Sequence, residues 1–430
     1  MKKTLLLLVF FIASVSFIQA ESIKKDLEKL AKEYNFTVEV LPSGDNFEER
    51  FLLWVVQDLN HKTPDGKTFK QRVFISHKDI DKPVVLVTEG YWAAYAENAN
   101  YKNEITDILD ANQIVVEHRY FTPSVPDKSV FDWKYLTIEN AAADHHRIVE
   151  ILKHIYHKKW LNTGISKGGQ TAIYHKYFYP NDVDVSVPVV APLNFSKEEQ
   201  RVYRFFKSVG TAECRKRIQD YQIELLKNKE KYFPFFEGYA KKKEQTYNRV
   251  GGIDKGYELT VFEFSFAFWQ WGKSCDDIPT DTTNAKEMLR ELIVVAGIDW
   301  ISDQGIEIQQ PFFYQAMREF GMYGYDITPF KEWISYDTNP TFEFTFPEGI
   351  NVEYNPEPHR KIDYFIRHKA QNMIFIVGGN DPWGSTSVDL TYETNSLKIV
   401  KEGGSHITRI MNLPDAQKEL VISTIKEWMR

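Results

Sequence analysis

With 430 residues, 43% of them hydrophobic and 15% aromatic, the chain has ample apolar material for one elaborated domain or two. A formal net charge of -7 and the lack of a long basic run argue against a nucleic-acid binder. Two cysteines cannot build a structural zinc site alone, and no His-Glu-x-x-His or clustered carboxylate motif occurs, so no metal and no cofactor is expected.

The chain begins Met1-Lys2-Lys3, runs apolar from Leu5 to Ile18, and reaches Gln19-Ala20 before Glu21. A basic start and an apolar core too short to span a bilayer comfortably predict a secretory signal peptide over 1–20, cut near Ala20. The mature chain is then expected outside the cytoplasm, periplasmic or fully exported, with no membrane span. In such an oxidising compartment Cys214 and Cys275 are expected to pair as a disulfide. A short charged helix is predicted over 23–34, followed by strands over 36–41, 47–60 and 68–77. Pro64-Asp65-Gly66 marks the turn between the last two. Residues 83–88 differ, being a continuous apolar run of the kind found in buried parallel strands, and 114–120 is a second. Apolar residues near helical spacing predict a long helix over 137–157. A strand, a helix ended by Pro180 and another buried strand over 183–193 continue an alternating α/β pattern.

From about Phe195 to Arg360 the alternation stops. Residues 197–243 read as charged helices, and Phe262-Glu-Phe-Ser-Phe-Ala-Phe-Trp-Gln-Trp271 is aromatic at most positions. Strand patterning resumes at 372–377 and 397–400, and a last helix is predicted over 415–430. The expected organisation is therefore a core in two parts, 21–194 and 361–430, with a mostly helical, aromatic-rich cap over 195–360 inserted into its sheet.

Between the strand at Trp160 and the next helix stands Gly164-Ile165-Ser166-Lys167-Gly168. G-x-S-x-G at a strand-to-helix turn is the nucleophile elbow of α/β-hydrolases, so tight that only small residues fit two places either side of the serine. That fold requires an acid after a late strand and a histidine after the next. Asp381 follows the strand at 372–377, and of eleven histidines only His406 lies beyond it, after the strand at 397–400. Ser166, Asp381 and His406 are thus the candidate triad, with Asp389 and Asp363 as reserve acids. Serine at its own pKa is a poor nucleophile and needs such a base. For the oxyanion, the backbone N–H of Lys167 is one expected donor, and the loop after 83–88, near Gly90 or Tyr91, the other. The Lys167 ammonium has two readings here, a stabiliser of negative charge in the site or a solvent-facing side chain.

Glu117-His-Arg-Tyr120, Tyr135-Leu-Thr137, the Ser-Lys-Gly-Gly elbow, Phe266-Ala-Phe-Trp-Gln-Trp-Gly272 and Asn380-Asp-Pro-Trp383 together resemble the secreted bacterial prolyl tri/tetrapeptidyl aminopeptidases. These serine peptidases are related to lysosomal prolylcarboxypeptidase and its dipeptidyl-peptidase relative. The resemblance runs from about Phe47 to the end and matches Ser166, Asp381 and His406 to the family triad. It implies peptide substrates and removal of short peptides from a free amino terminus, with proline favoured before the scissile bond. Trp269, Trp271, Phe313 and Tyr314 are candidates to line a proline pocket, and Glu89, Glu263 or Glu319 to receive the substrate ammonium. The competing readings are a lipase or esterase on the same fold, and a catalytically silent surface binding protein.

Overall fold

The computed structural model describes residues 22–430, and the signal peptide expected over 1–20 lies outside the described residues. Among the described residues nine strands form one sheet. They are β1 (Phe36–Leu41), β2 (Glu49–Asp58), β3 (Thr68–His77), β4 (Val84–Thr88), β5 (Asn112–Val116), β6 (Trp160–Ile165), β7 (Val185–Val189), β8 (Ile374–Gly378) and β9 (Leu397–Lys401). The spatial order is β1-β2-β3-β5-β4-β6-β7-β8-β9. β1, β2, β3 and β5 pair antiparallel, and every pairing from β5 to β9 is parallel. Each residue of β4, β5, β7 and β8 is buried, whereas β1 keeps an exposed edge. That contrast follows from helices on both faces of the parallel part, which leave no wet side for polar residues.

Helices α1 (Lys24–Tyr34), α2 (Glu104–Leu109), α3 (Ile138–Leu152) and α4 (Lys167–Phe178) precede β7. Between β7 and β8 come α5 (Gln200–Phe206), α6 (Ala212–Lys227), α7 (Lys229–Lys242), α8 (Ile253–Gln270), α9 (Ala285–Ala296), α10 (Asp303–Gln315) and α11 (Glu357–His368). The chain closes with α12 (Asp415–Trp428). On one face Leu27 and Leu30 of α1 and Ile148, Ile151 and Leu152 of α3 pack on Leu53, Ile75, Leu86 and Ile114. The three α3 residues fall on one stripe because they are spaced three and four apart. On the other face Ile105 of α2 and Val421 and Ile425 of α12 meet Phe74, Val87, Val187 and Ile376. Each fully buried aliphatic side chain contributes about 1.5–3 kcal/mol.

In the segment between β7 and β8, α8 is buried around most of its circumference. A helix apolar on all sides belongs at the centre of its neighbours, and α6 and α9 pack against it. Cys214 at the start of α6 is joined to Cys275 beyond α8, with Cα atoms 5.7 Å apart. α10 runs into a π-helical turn, Ala316–Phe320, which widens the coil.

Three predicted elements are shorter than their apolar patterns. The strand expected over 114–120 ends at Val116, and the buried Glu117 and Arg119 just beyond it are charged side chains held by ion pairs instead of apolar strand residues. Arg119 donates to both Asp144 carboxylate oxygens at 2.7 Å and to the carbonyls of Leu59 and Tyr135 at 2.9 and 3.0 Å. The strand expected over 183–193 ends at Val189, since Val190 takes φ 45° and turns the chain out of the sheet. The helix expected over 137–157 ends at Leu152.

Candidate active site

The carboxyl ends of β4, β6, β8 and β9 lie along one edge of the sheet, where ligands of open α/β sheets bind. Four loops meet there, carrying Tyr91, Ser166, Asp381 and His406. Ser166 stands between β6 and α4 at φ 57°, ψ -122°, a conformation costly for a residue with a Cβ. The flanking glycines permit this turn. A Cβ on Gly164 would lie 2.2 Å from the Gly168 carbonyl oxygen, and one on Gly168 would lie 2.6 Å from that of Thr88. Only hydrogen fits at either position.

Asp381 is fully buried at the start of a 3-10 turn, Pro382–Thr386, where its Oδ1 accepts from the Trp383 N–H at 3.1 Å. Its Oδ2 accepts from Nδ1 of His406 at 2.7 Å. This bond leaves Nε2 of the imidazole as the free ring nitrogen, the arrangement a general base needs. The reserve acids are elsewhere: Asp363 and Asp389 both pair with Arg367, at 3.0 and 3.3 Å. His406 is held from the helical segment as well, its backbone N–H donating to the Gln270 carbonyl at 2.9 Å. The Trp271 ring stands edge-on to its imidazole at 6.2 Å.

Ser166 and His406 line one cavity of about 500 Å³. Tyr91 and Lys167 also line it, and Lys167 is the first residue of α4, where a helix leaves its N–H groups without intrahelical acceptors. The Lys167 side chain does not face solvent. It is buried, and Nζ donates to the Gly90 carbonyl at 2.5 Å while resting over the rings of Tyr91 and Phe121. Burial pushes its pKa well below the ordinary lysine value, with Glu89 acting in the opposite direction.

Of the residues proposed for substrate contact, Trp271, Phe313 and Glu263 line the cavity. Trp269, Tyr314 and Glu89 do not. Trp269 is buried against Gly210, whose Cβ, if present, would lie 2.2 Å from the indole, and it borders a separate cleft beside Tyr203 and Phe206. Trp269 lies in the last turn of α8 and Trp271 just past its end, and the two rings part company. Tyr314 packs against Trp133 at 5.1 Å and accepts from Arg318. Glu89 accepts from the Tyr95 hydroxyl, and desolvation raises its pKa to about 7. Glu319 is also absent from the wall; it accepts from the Ile138 N–H at the start of α3 at 3.0 Å. Sequence reasoning missed Tyr323, Phe342, Trp300, Phe312 and Arg409 as lining residues, together with Trp383 in that role. Trp383 carried a signal, since it stands two places after the candidate acid.

A family model described as PS-10 peptidase S37 matches residues 39–430. The prolyl tri/tetrapeptidyl aminopeptidase of Streptomyces mobaraensis is 32% identical over 378 residues, covering 86% of this chain and 78% of that one. Prolyl carboxy peptidase like protein 5 of Caenorhabditis elegans is 28% identical over 131 residues, 28% of this chain and 26% of that one. Among solved structures, the proline iminopeptidase of Mycobacterium smegmatis is similar with a TM-score of 0.41 and 12% identity, covering 91% of this chain and 99% of that one. The family match over nearly the whole described length, and a relative above 30% identity, decide the assignment: this α/β-hydrolase-fold chain belongs to the peptidase S37 family of serine peptidases.

Proposed function

We propose that this peptidase works outside the cytoplasm, releasing tri- and tetrapeptides from a free amino terminus with proline before the scissile bond, through an acyl-enzyme on Ser166. The observation that carries the reading is the 2.7 Å bond from His406 to buried Asp381, with His406 and Ser166 on the wall of one cavity. Ser166 Oγ attacks the scissile carbonyl carbon while its proton passes to Nε2 of His406. Asp381 holds the imidazole in the tautomer that can accept that proton and stabilises the imidazolium. The carbonyl oxygen, now an oxyanion, is received by the backbone N–H groups of Lys167 and Tyr91, each worth roughly 3–4 kcal/mol. Collapse expels the leaving amine, which takes the proton from His406. Water then attacks the ester with His406 again as base, and Ser166 regains its proton.

The substrate preference is supported by the relative's named activity and by the aromatic wall of the cavity, where Trp383, Tyr323, Phe342 and Phe313 offer apolar faces to a pyrrolidine ring. The segment 195–360 supplies most of that wall and is proposed as a cap. Digestion of a peptide library with mass detection of the fragments tests this. Tri- and tetrapeptides ending in proline are expected, and Ser166→Ala should abolish both cleavage and labelling by a fluorophosphonate. Turnover of short acyl esters with none of Ala-Ala-Pro-amide would favour the esterase reading and overturn this one.

A further inference from the structure

Among the described residues Glu263, on the α8 face turned to the cavity, is the one carboxylate on its wall. It is 5% exposed, and the hydroxyls of Tyr323 and Tyr325 both donate to its Oε2, at 2.8 and 2.6 Å. Its Oε1 takes no hydrogen bond from the protein among the described residues. The Lys167 and Arg409 side chains on the same wall are committed elsewhere. Lys167 donates to the Gly90 carbonyl at 2.5 Å, and Arg409 to the carbonyls of His406 and Thr408 at 3.0 and 2.8 Å.

An acid so enclosed is costly to ionise without a cation beside it. Loss of solvation accordingly raises the Glu263 pKa to about 8, with the two tyrosine hydrogen bonds acting in the opposite direction. The side chains packed around it are aromatic. Tyr323 stacks on Phe266 at 3.6 Å, and Trp383 meets both rings edge-on at 5.4 and 5.2 Å. Such a site gives little to a neutral group and much to a cation that can pair with the carboxylate. Glu89 and Glu319, the other two acids considered from sequence, already have partners and are absent from the wall.

We infer that Glu263 receives the α-ammonium of the substrate's amino terminus, with Tyr323 and Tyr325 fixing the carboxylate's orientation and the aromatic wall holding the residues between that ammonium and the scissile bond. The inference rests on the reading of Ser166 as nucleophile. It makes Glu263 the selector of chain ends: an acetylated terminus or an internal segment would bury the carboxylate with no charge to meet it.

The test compares Ala-Ala-Pro-amide with its acetylated form on the full chain, wild type and Glu263→Gln. The wild type should prefer the free amine. In Glu263→Gln the kcat/KM of the free-amine peptide should fall about 100-fold, mostly through KM, as expected for loss of one buried charge partner. The acetylated peptide and the rate of fluorophosphonate labelling should change little, so the preference collapses. A second measurement needs no variant: the product Ala-Ala-Pro should slow labelling of the wild type at concentrations where acetyl-Ala-Ala-Pro does not. Undiminished preference in Glu263→Gln, or equal protection by the two products, overturns the inference and leaves the serine chemistry standing. A wild type that no fluorophosphonate labels overturns that chemistry and the inference with it.

Discussion

Lys167 Nζ donates to the Gly90 carbonyl at 2.5 Å, and a Cβ on Gly90 would lie 2.6 Å from Lys167 Cβ. The elbow and the loop after β4 therefore interlock, and the two N–H groups proposed for the oxyanion come from residues that hold one another in place. Lys167→Met keeps the stem over Tyr91 and Phe121 and removes the donor. We expect kcat to fall about 10–100-fold with KM nearly unchanged, because the loss is one of positioning in the transition state. Gly90→Ala should be worse, since no rotamer relieves a Cβ clash. Steady-state kinetics on Ala-Ala-Pro-amide checks both, and a change confined to KM would count against the positioning role.

Asp381→Asn replaces a group fully buried against His406 with a near-isostere that allows the wrong imidazole tautomer. A fall in kcat of about 10⁴-fold is expected with the fold intact. Asp363→Asn and Asp389→Asn, which touch only Arg367 across the ion pairs, should leave kcat within a factor of about two. Activity that survived Asp381→Asn and vanished in Asp389→Asn would reassign the acid.

Ser166 sits at φ 57°, ψ -122°. A side chain there is held against its backbone preference at a cost of about 1–3 kcal/mol, which glycine avoids. Ser166→Gly should therefore be inactive and more stable than the wild type by about 1 kcal/mol, read as a higher midpoint in urea. A lower midpoint would mean that the hydroxyl contributes more to the fold than the strain costs.

Glu263 also predicts a pH effect on stability. Desolvation raises its pKa from 4.5 to about 8, against the hydrogen bonds from Tyr323 and Tyr325. The other titratable groups on the cavity wall are Tyr91, Lys167, His406 and Arg409. Between those two pKa values the folded chain retains a proton that the unfolded chain has released, so this group's contribution to stability falls as pH rises across the window and levels off above about 8. Glu263→Gln has no such proton. The wild type should lose stability relative to the variant from about pH 5 to pH 8, by at most a few kcal/mol. Thermal midpoints for the two proteins that run parallel across that range would refute it.

How legible the site was depended on whether a residue's role is local. The elbow is a local device: tightness demands Gly164 and Gly168, and the strand before and helix after them could be read from apolar pattern. Asp381 and His406 are candidates by chain order, because each follows a strand whose patterning is plain in the sequence. The lining residues resisted the same reasoning. Trp269 and Trp271 are equally aromatic and two places apart, yet the last turn of α8 buries one beside a different cleft and the other, just past the helix, lines the cavity. Arg119 and Glu117 extended an apolar run in the sequence, and only their distant partners Asp144 and Arg72 explain why the strand stops before them.

The alternation of buried strands and helices, the tight turn at Ser166, and the succession of Asp381 and then His406 behind it are legible along the chain. These depend on period, residue size and succession along the chain, all of which are local. Tertiary structure decided which of three glutamates stands on the cavity wall, that Lys167 turns inward to Gly90, and that Gln270 at the end of α8 holds the loop of His406. Each of these joins segments far apart in the chain, and their side chains look interchangeable until packing assigns every one a neighbour. Packing, more than composition, separates the acid that faces the cavity from the acids that cap a helix or bind a tyrosine.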